Sequence, residues 1–156
     1  MRGSLLLPLA VAAIGWAIVA MTGGALTDIG PWYRSLIKPS WQPPDWLFGP
    51  VWTTIFILAA VSAALAWRAA GETQRRMVAI LFVANGILNV LWSLLFFHLK
   101  QPLLAGFEVV LLWASIVALI VYLRRFSRPA AWLLVPYLLW VSFATALNWT
   151  IVALNP

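Results

Sequence analysis

The chain has 156 residues, of which 64% are hydrophobic and only 9% charged. An ordinary soluble domain carries roughly 25% charged residues, so this composition excludes a water-soluble enzyme and a disordered chain alike and points to a protein whose solvent is lipid. The absence of cysteine removes disulfides, thiolate metal sites and cysteine nucleophiles, and the single histidine removes a multi-histidine metal centre. The net charge of +6 sits between apolar runs, so it reads as membrane topology rather than as a nucleic-acid surface.

Five apolar runs are predicted to span the bilayer, over residues 5–21, 51–67, 77–97, 103–123 and 130–154. Each approaches or exceeds the length of about 20 residues that a membrane helix needs. They lack the apolar–polar alternation of a barrel strand, and in lipid a continuous run must pair its own backbone as a helix. Prolines 50, 102 and 129 stand at helix starts, where a missing N–H costs nothing. The first run is longer than the apolar core of about 7–15 residues in a signal peptide and is read as a helix. The expected fold is therefore all-α: one membrane domain over residues 1–156, a five-helix bundle with a long first loop, 22–50, acting as a lid. Seven of the ten basic residues (Arg2, Arg68, Arg75, Arg76, Arg124, Arg125, Arg128) fall on one side, against Arg34, Lys38 and Lys100 on the other. That asymmetry predicts a cytoplasmic amino terminus in a bacterial membrane.

The first loop is the exception among short connections. It reads Gly30-Pro31-Trp32-Tyr33-Arg34-Ser35-Leu36-Ile37-Lys38-Pro39-Ser40-Trp41-Gln42-Pro43-Pro44-Asp45-Trp46. Its prolines lower the entropy lost on ordering, and its aromatic rings bring large apolar areas with polar tips. Two readings stand side by side: a semi-rigid cover on the bundle mouth, or an aromatic belt at the membrane interface.

Below the loop, Asn85, Asn89, Trp92 and Phe96 recur at helical spacing on the third span, and Trp140, Ala144 and Asn148 on the fifth, with Phe143 and Leu147 adjoining. Trp52 and Phe56 lie one turn apart on the second. Asparagines are costly against lipid, so these stripes face inward, where they either line an aromatic cavity or simply bond helix to helix at about 0.6–2 kcal/mol each. A flat, largely apolar ring system suits such a cavity, stacking on Trp and Phe. Acidic groups on its edge would pair with Arg34 or Lys38, whose other natural partner is a lipid headgroup. His98 reads as a wet helix end. Glu108 either snorkels outward or pairs within the bundle. Leu119, Tyr122 and Arg124 fit a loose cholesterol pattern of low specificity. Ala59, Ala60, Ala63 and Ala64 would allow a close helix contact, within the chain or across a homodimer.

The string Trp32-Tyr33, Leu36, Lys38-Pro39, Trp41, Pro43-Pro44 resembles the signature loop of the TspO/MBR family, the tryptophan-rich sensory and translocator proteins whose mitochondrial members were called peripheral-type benzodiazepine receptors. The resemblance continues through Pro50-Val51-Trp52, through Asn85, Asn89, Trp92 and Phe96-Phe97, and through Trp132, Pro136-Tyr137, Leu139-Trp140, Phe143-Ala144-Thr145 and Leu147-Asn148. It implies a five-helix receptor, often dimeric, that binds porphyrins such as protoporphyrin IX, sterols and isoquinoline-carboxamides beneath the first loop, with no required cofactor. It brings Tyr33 and Pro43 into the expected ligand site with Trp52, Phe56, Asn85, Asn89, Trp92, Phe96, Trp140, Phe143, Ala144 and Asn148. It also implies two rival activities. One is light- and oxygen-dependent porphyrin degradation, with Trp32 and Trp140 as electron donors. The other is transport, which five helices without two equal halves make less natural. The carboxyl end, Leu154-Asn155-Pro156, lacks the basic sterol motif of animal members.

Overall fold

The computed structural model describes residues 4–156, so Arg2 lies outside the described residues. Helix α1 spans Leu6–Leu26. The first loop holds a short helix, α2 (Pro31–Ser35), and a 3-10 turn, Asp45–Leu47, that runs into α3 (Phe48–Ala69). Helix α4 (Glu72–Ser93) continues into a π-helical turn, Leu94–His98. Helix α5 is Pro102–Leu123, and the fifth span is split into α6 (Arg128–Leu133) and α7 (Val135–Leu154). Five helical runs are long and apolar enough to cross a membrane. Their outward residues are apolar too: Leu7, Val11 and Ile18 on α1, Ile87 on α4 and Phe107 on α5 are all exposed. This is the surface of a chain solvated by lipid.

The helices start earlier or end later than the apolar runs because polar turns extend them, as Glu72–Arg76 does for α4. The split in the fifth span has a local cause. Pro136 has no N–H to offer the carbonyl one turn back, and its ring crowds that position. Leu134 therefore turns, donating to Ala131 O at 3.2 Å, and the buried Ser62 hydroxyl donates to the freed Ala130 carbonyl at 2.7 Å. The π turn ends α4 with Leu99 N–H donating to Leu94 O at 2.8 Å, followed by Lys100 at a left-handed φ of 55°.

Around the bundle, α1 lies between α3 and α4, while α5 lies between α4 and α7. Helix α3 packs closely on α6 but only sparsely on α7. The break at Leu134 thus lets the fifth span lean away from α3 in the half nearest the first loop, and space opens there. The alanines of α3 are used inside the chain: Ala59 and Ala60 are buried in the core shared with Trp16, Ala63 packs against it, and Ala64 is buried as well. They hold helices of one protomer together.

Candidate functional site

The space between α1, α3, α4 and α7 is a cavity of about 450 Å³ at the first-loop end of the bundle. Its walls are aromatic. Trp52 stacks on Phe56 at 5.4 Å between ring centroids, and Phe56 stacks on Trp16 behind it at the same distance. Across the space, Trp92 stacks on Phe96 at 5.3 Å, and Trp140 meets Phe48 edge-on at 5.5 Å. Helix α1 closes the remaining side with Val19, Gly23 and Gly24, and Thr27 follows at its end. A Cβ on Gly24 would meet nothing within 4 Å, so its absence leaves open volume.

The loop end of the cavity is built on Tyr33. Its ring is buried against Phe97, and its hydroxyl donates to Asp45 Oδ1 at 3.0 Å while accepting from Gln42 Nε2 at 3.1 Å. Burial, and then the Asp45 carboxylate beside it, push the Tyr33 phenol up to about 12. Lys38 folds back over the Tyr33 ring, 4.3 Å from its centroid, and donates to the Tyr33 and Leu36 carbonyls. The cavity floor is a polar relay. Asn89 Nδ2 donates to the Tyr137 hydroxyl, which donates to Asn85 Oδ1, both at 3.0 Å, and Asn85 Nδ2 donates to Ser115 at 2.8 Å. On the side wall Trp92 Nε1 donates to Asn148 Oδ1 at 3.0 Å, and Asn148 Nδ2 to Pro102 O at 2.8 Å.

Two polar atoms in this wall are buried with no partner: Trp140 Nε1 and Gln42 Oε1. A buried donor and acceptor left open cost about 1–3 kcal/mol each. Neither atom is accessible from the cavity as it stands, so a ligand pairs with either one only when the side chains covering it shift.

Of the residues singled out by sequence, Tyr33, Trp52, Phe56, Asn89, Trp92, Phe96, Trp140, Ala144 and Asn148 line the cavity. Four do not. Asn85 lies under the floor, committed to Tyr137 and Ser115. Phe143 turns outward onto Trp41 at 5.7 Å and backs Trp140 at 5.3 Å. Pro43 is displaced from the lining by its neighbour Gln42, which takes the inward place. Trp32 meets Phe96 edge-on at 6.0 Å, so the Phe96 ring stands between it and the cavity. Lys38 is spent on loop carbonyls, and Arg34 is exposed; neither lines the cavity. Glu108 neither snorkels nor pairs: it is 5% exposed and neither oxygen has a partner. Leu119 is fully buried, so the loose cholesterol pattern offers no lipid-facing leucine. His98 is exposed at the end of the π turn, as a helix-end residue.

The TspO/MBR family model matches residues 5–154. The chain belongs to the TspO/MBR family. It is 45% identical over 129 residues to the tryptophan-rich protein TspO of Chlorobaculum tepidum, covering 80% of each chain. It is 40% identical over 147 residues to the tryptophan-rich protein TspO of Archaeoglobus fulgidus, covering 94% of this chain and 93% of that one. It is also 36% identical over 122 residues to the human translocator protein, covering 77% and 72%. With its five apolar helices, this TspO/MBR chain is an integral, multi-pass membrane protein.

In this TspO/MBR chain the proline- and tryptophan-rich string supplies one cavity residue, Tyr33, and its neighbours Gln42 and Asp45 supply two more. The sequence does not mark those two polar residues or the α1 wall as lining, and it marks Tyr137 only through the family resemblance. Gln42 and Asp45 carry a weak signal as polar side chains in an aromatic, proline-rich run. Helix α1 is apolar on every side, and only the pair Gly23-Gly24 hints at a face that must stay open.

Proposed function

We propose that this protein is a membrane receptor for planar, largely apolar tetrapyrroles such as protoporphyrin IX, bound in the cavity under the first loop, and that occupancy regulates tetrapyrrole levels. One observation carries the reading: an aromatic chamber of about 450 Å³ whose only buried unpartnered wall atoms are Trp140 Nε1 and Gln42 Oε1, among the described residues. Flat rings recover dispersion and quadrupole energy from Trp52, Trp92 and Trp140, while the two unpartnered polar atoms, uncovered by a small side-chain shift, fix orientation. Isoquinoline-carboxamides meet part of the same demands, with flat rings and a carbonyl acceptor for Trp140 Nε1. The first loop acts as the lid of this single domain, and no resident cofactor is required. The excess of arginine at the α3–α4 and α5–α6 connections supports a cytoplasmic amino terminus in a bacterial membrane.

The test is a titration of the purified protein with protoporphyrin IX, read by tryptophan quenching. Saturable binding at one site, weakened in Asn89→Ala and in Trp140→Phe, is the expected result. Identical isotherms for wild type and both variants would remove the assignment.

A second reading, light-dependent porphyrin oxidation, draws support from Trp140 alone, since its ring lines the cavity and Trp32 is screened by Phe96. It requires that illumination with oxygen yield a discrete product, and that Trp140→Phe abolish it while Trp32→Phe does not.

A further inference from the structure

The bundle face between α1 and α4 carries a second hollow, separate from the cavity. It is a groove of about 690 Å³ with apolar walls that include Val11, Gly15 and Ile18 of α1 and Val83 and Ile87 of α4, with Trp67 of α3 at one end. Two glycines shape it. A Cβ on Gly15 would meet nothing within 4 Å, and Gly86 lets the Val19 side chain approach to 3.1 Å of where its own Cβ would stand.

The groove has a length and a polarity. On α1 it runs from Leu7 to Val19 and on α4 from Val78 to Val90. At about 1.5 Å per residue either stretch is about 18 Å long. One leaflet is half of a hydrocarbon core of about 30 Å. The groove therefore starts at one interface and ends near the bilayer midplane, the depth that a single acyl chain occupies. Its interfacial end is basic. The Arg75 guanidinium lies 5.6 Å from the Trp67 ring and its Nε donates to Trp67 O at 3.2 Å. Arg68 follows Trp67 in the chain and Arg76 follows Arg75; both are exposed and neither lines the groove itself, and Glu72 is the one acid between Trp67 and Met77.

We propose that the groove and its arginine rim are a binding site for one anionic phospholipid, with an acyl chain along α1 and α4 and the phosphate at Arg68 and Arg76. Charge complementarity and leaflet-matched depth select this occupant. A second copy of the chain seated here in the same orientation would set two such arginine clusters side by side, a like-charge contact. The site also touches the cavity from behind. Val19 lines both hollows, and Trp16, in the groove wall, stacks on Phe56 of the cavity wall at 5.4 Å.

Native mass spectrometry of the detergent-solubilised full chain tests this, with phosphatidylglycerol and phosphatidylcholine of identical chains added at equal concentration. The expected result is one retained phosphatidylglycerol per chain, preferred by about tenfold. The double variant Arg68→Gln/Arg76→Gln should erase the preference. Gly15→Leu, or the milder Gly15→Val, should fill the groove and lower binding of both lipids with the arginines intact; an unchanged melting temperature shows that these variants are folded. Equal retention of the two lipids by wild type would overturn the proposal, as would binding untouched by both Gly15 variants. A dimer that retains no phosphatidylglycerol and dissociates in Gly15→Leu would overturn it too, since the groove would then belong to a second copy.

Discussion

Asn155 holds both backbone groups of Ile37, 118 residues earlier in the chain: its Oδ1 accepts from the Ile37 N–H at 2.9 Å and its Nδ2 donates to the Ile37 carbonyl at 2.9 Å. The same Nδ2 donates to Ile151 O at 2.8 Å, so the end of α7 is rigidly tied to the middle of the first loop. Two net hydrogen bonds contribute about 1–3 kcal/mol together. Asn155→Ala should therefore lower hydrogen-exchange protection at Ile37 by about tenfold or more. Amides at Leu112 and Ile116 in the core should be unaffected. Equal protection at Ile37 in both proteins would show that the tie does not hold the loop.

Tyr33 gives the loop a pH limit. Its phenol, pushed up to about 12 by burial and by Asp45, is held neutral in the folded loop. A raised acid is stabilising below its ordinary value of about 10, and the contribution disappears as pH climbs through the folded value. Loop packing should be flat up to about pH 10 and fail towards pH 12. Tyr33→Phe should have a looser loop at neutral pH, having lost the Asp45 contact, yet show no further loss in that window. The phenolate absorbance of wild type minus Tyr33→Phe checks this; a midpoint near 10 would refute it.

The parts of this architecture that follow from solvation and periodicity were legible in the sequence. Five apolar runs can only be helices in lipid, and the Asn89–Trp92–Phe96 stripe turns inward because amide groups avoid hydrocarbon. The residues that escaped do so for physical reasons. Val19 and Ala20 sit on a helix that is apolar all round, where no stripe marks a face. Asn85 shares the stripe of Asn89, but one turn deeper it meets Tyr137, and only coordinates separate a wall from the layer beneath it. The parting of α7 from α3 arises from one missing N–H at Pro136, whose consequence lies a helix away.

That deeper layer predicts a stability effect distinct from any on the cavity wall. The Tyr137 hydroxyl is the single link between Asn89 and Asn85, and all three residues are buried. Tyr137→Phe keeps the ring against Trp16 and Trp52 but strands an amide donor and an amide acceptor. The expected cost is about 1–3 kcal/mol, read as a lower midpoint in thermal or denaturant unfolding in detergent. An unchanged midpoint would mean that the two asparagines find each other directly.

Trp140 should behave oppositely in two measurements. Its ring is held by Phe48 and Phe143, but its Nε1 is buried without an acceptor. Trp140→Phe removes that open donor and keeps an aromatic surface. The ligand-free protein should lose little stability, while porphyrin affinity falls about tenfold for the lost hydrogen bond. A variant that binds porphyrin as tightly as wild type would show that Nε1 contacts no ligand atom.

Glu108 presents the same imbalance without a cavity to explain it. It sits on α5 among Ala105, Val109 and Leu112, all nearly inaccessible, and both of its oxygens are buried without partners. An unmatched polar group in such surroundings costs about 1–3 kcal/mol on mutational scales. Glu108→Met, similar in length and free of polar atoms, should therefore raise stability by about that amount. Glu108→Gln keeps the unmatched polar atoms and should change it little. The two melting temperatures, measured in the same detergent, separate the cases. Stabilisation by Met alone identifies a carboxyl kept against the interest of the fold, and an ionisable group inside a membrane helix is kept that way by function. Destabilisation by Met together with a neutral Gln would instead show that the carboxyl oxygen has a structural partner that the amide oxygen also satisfies.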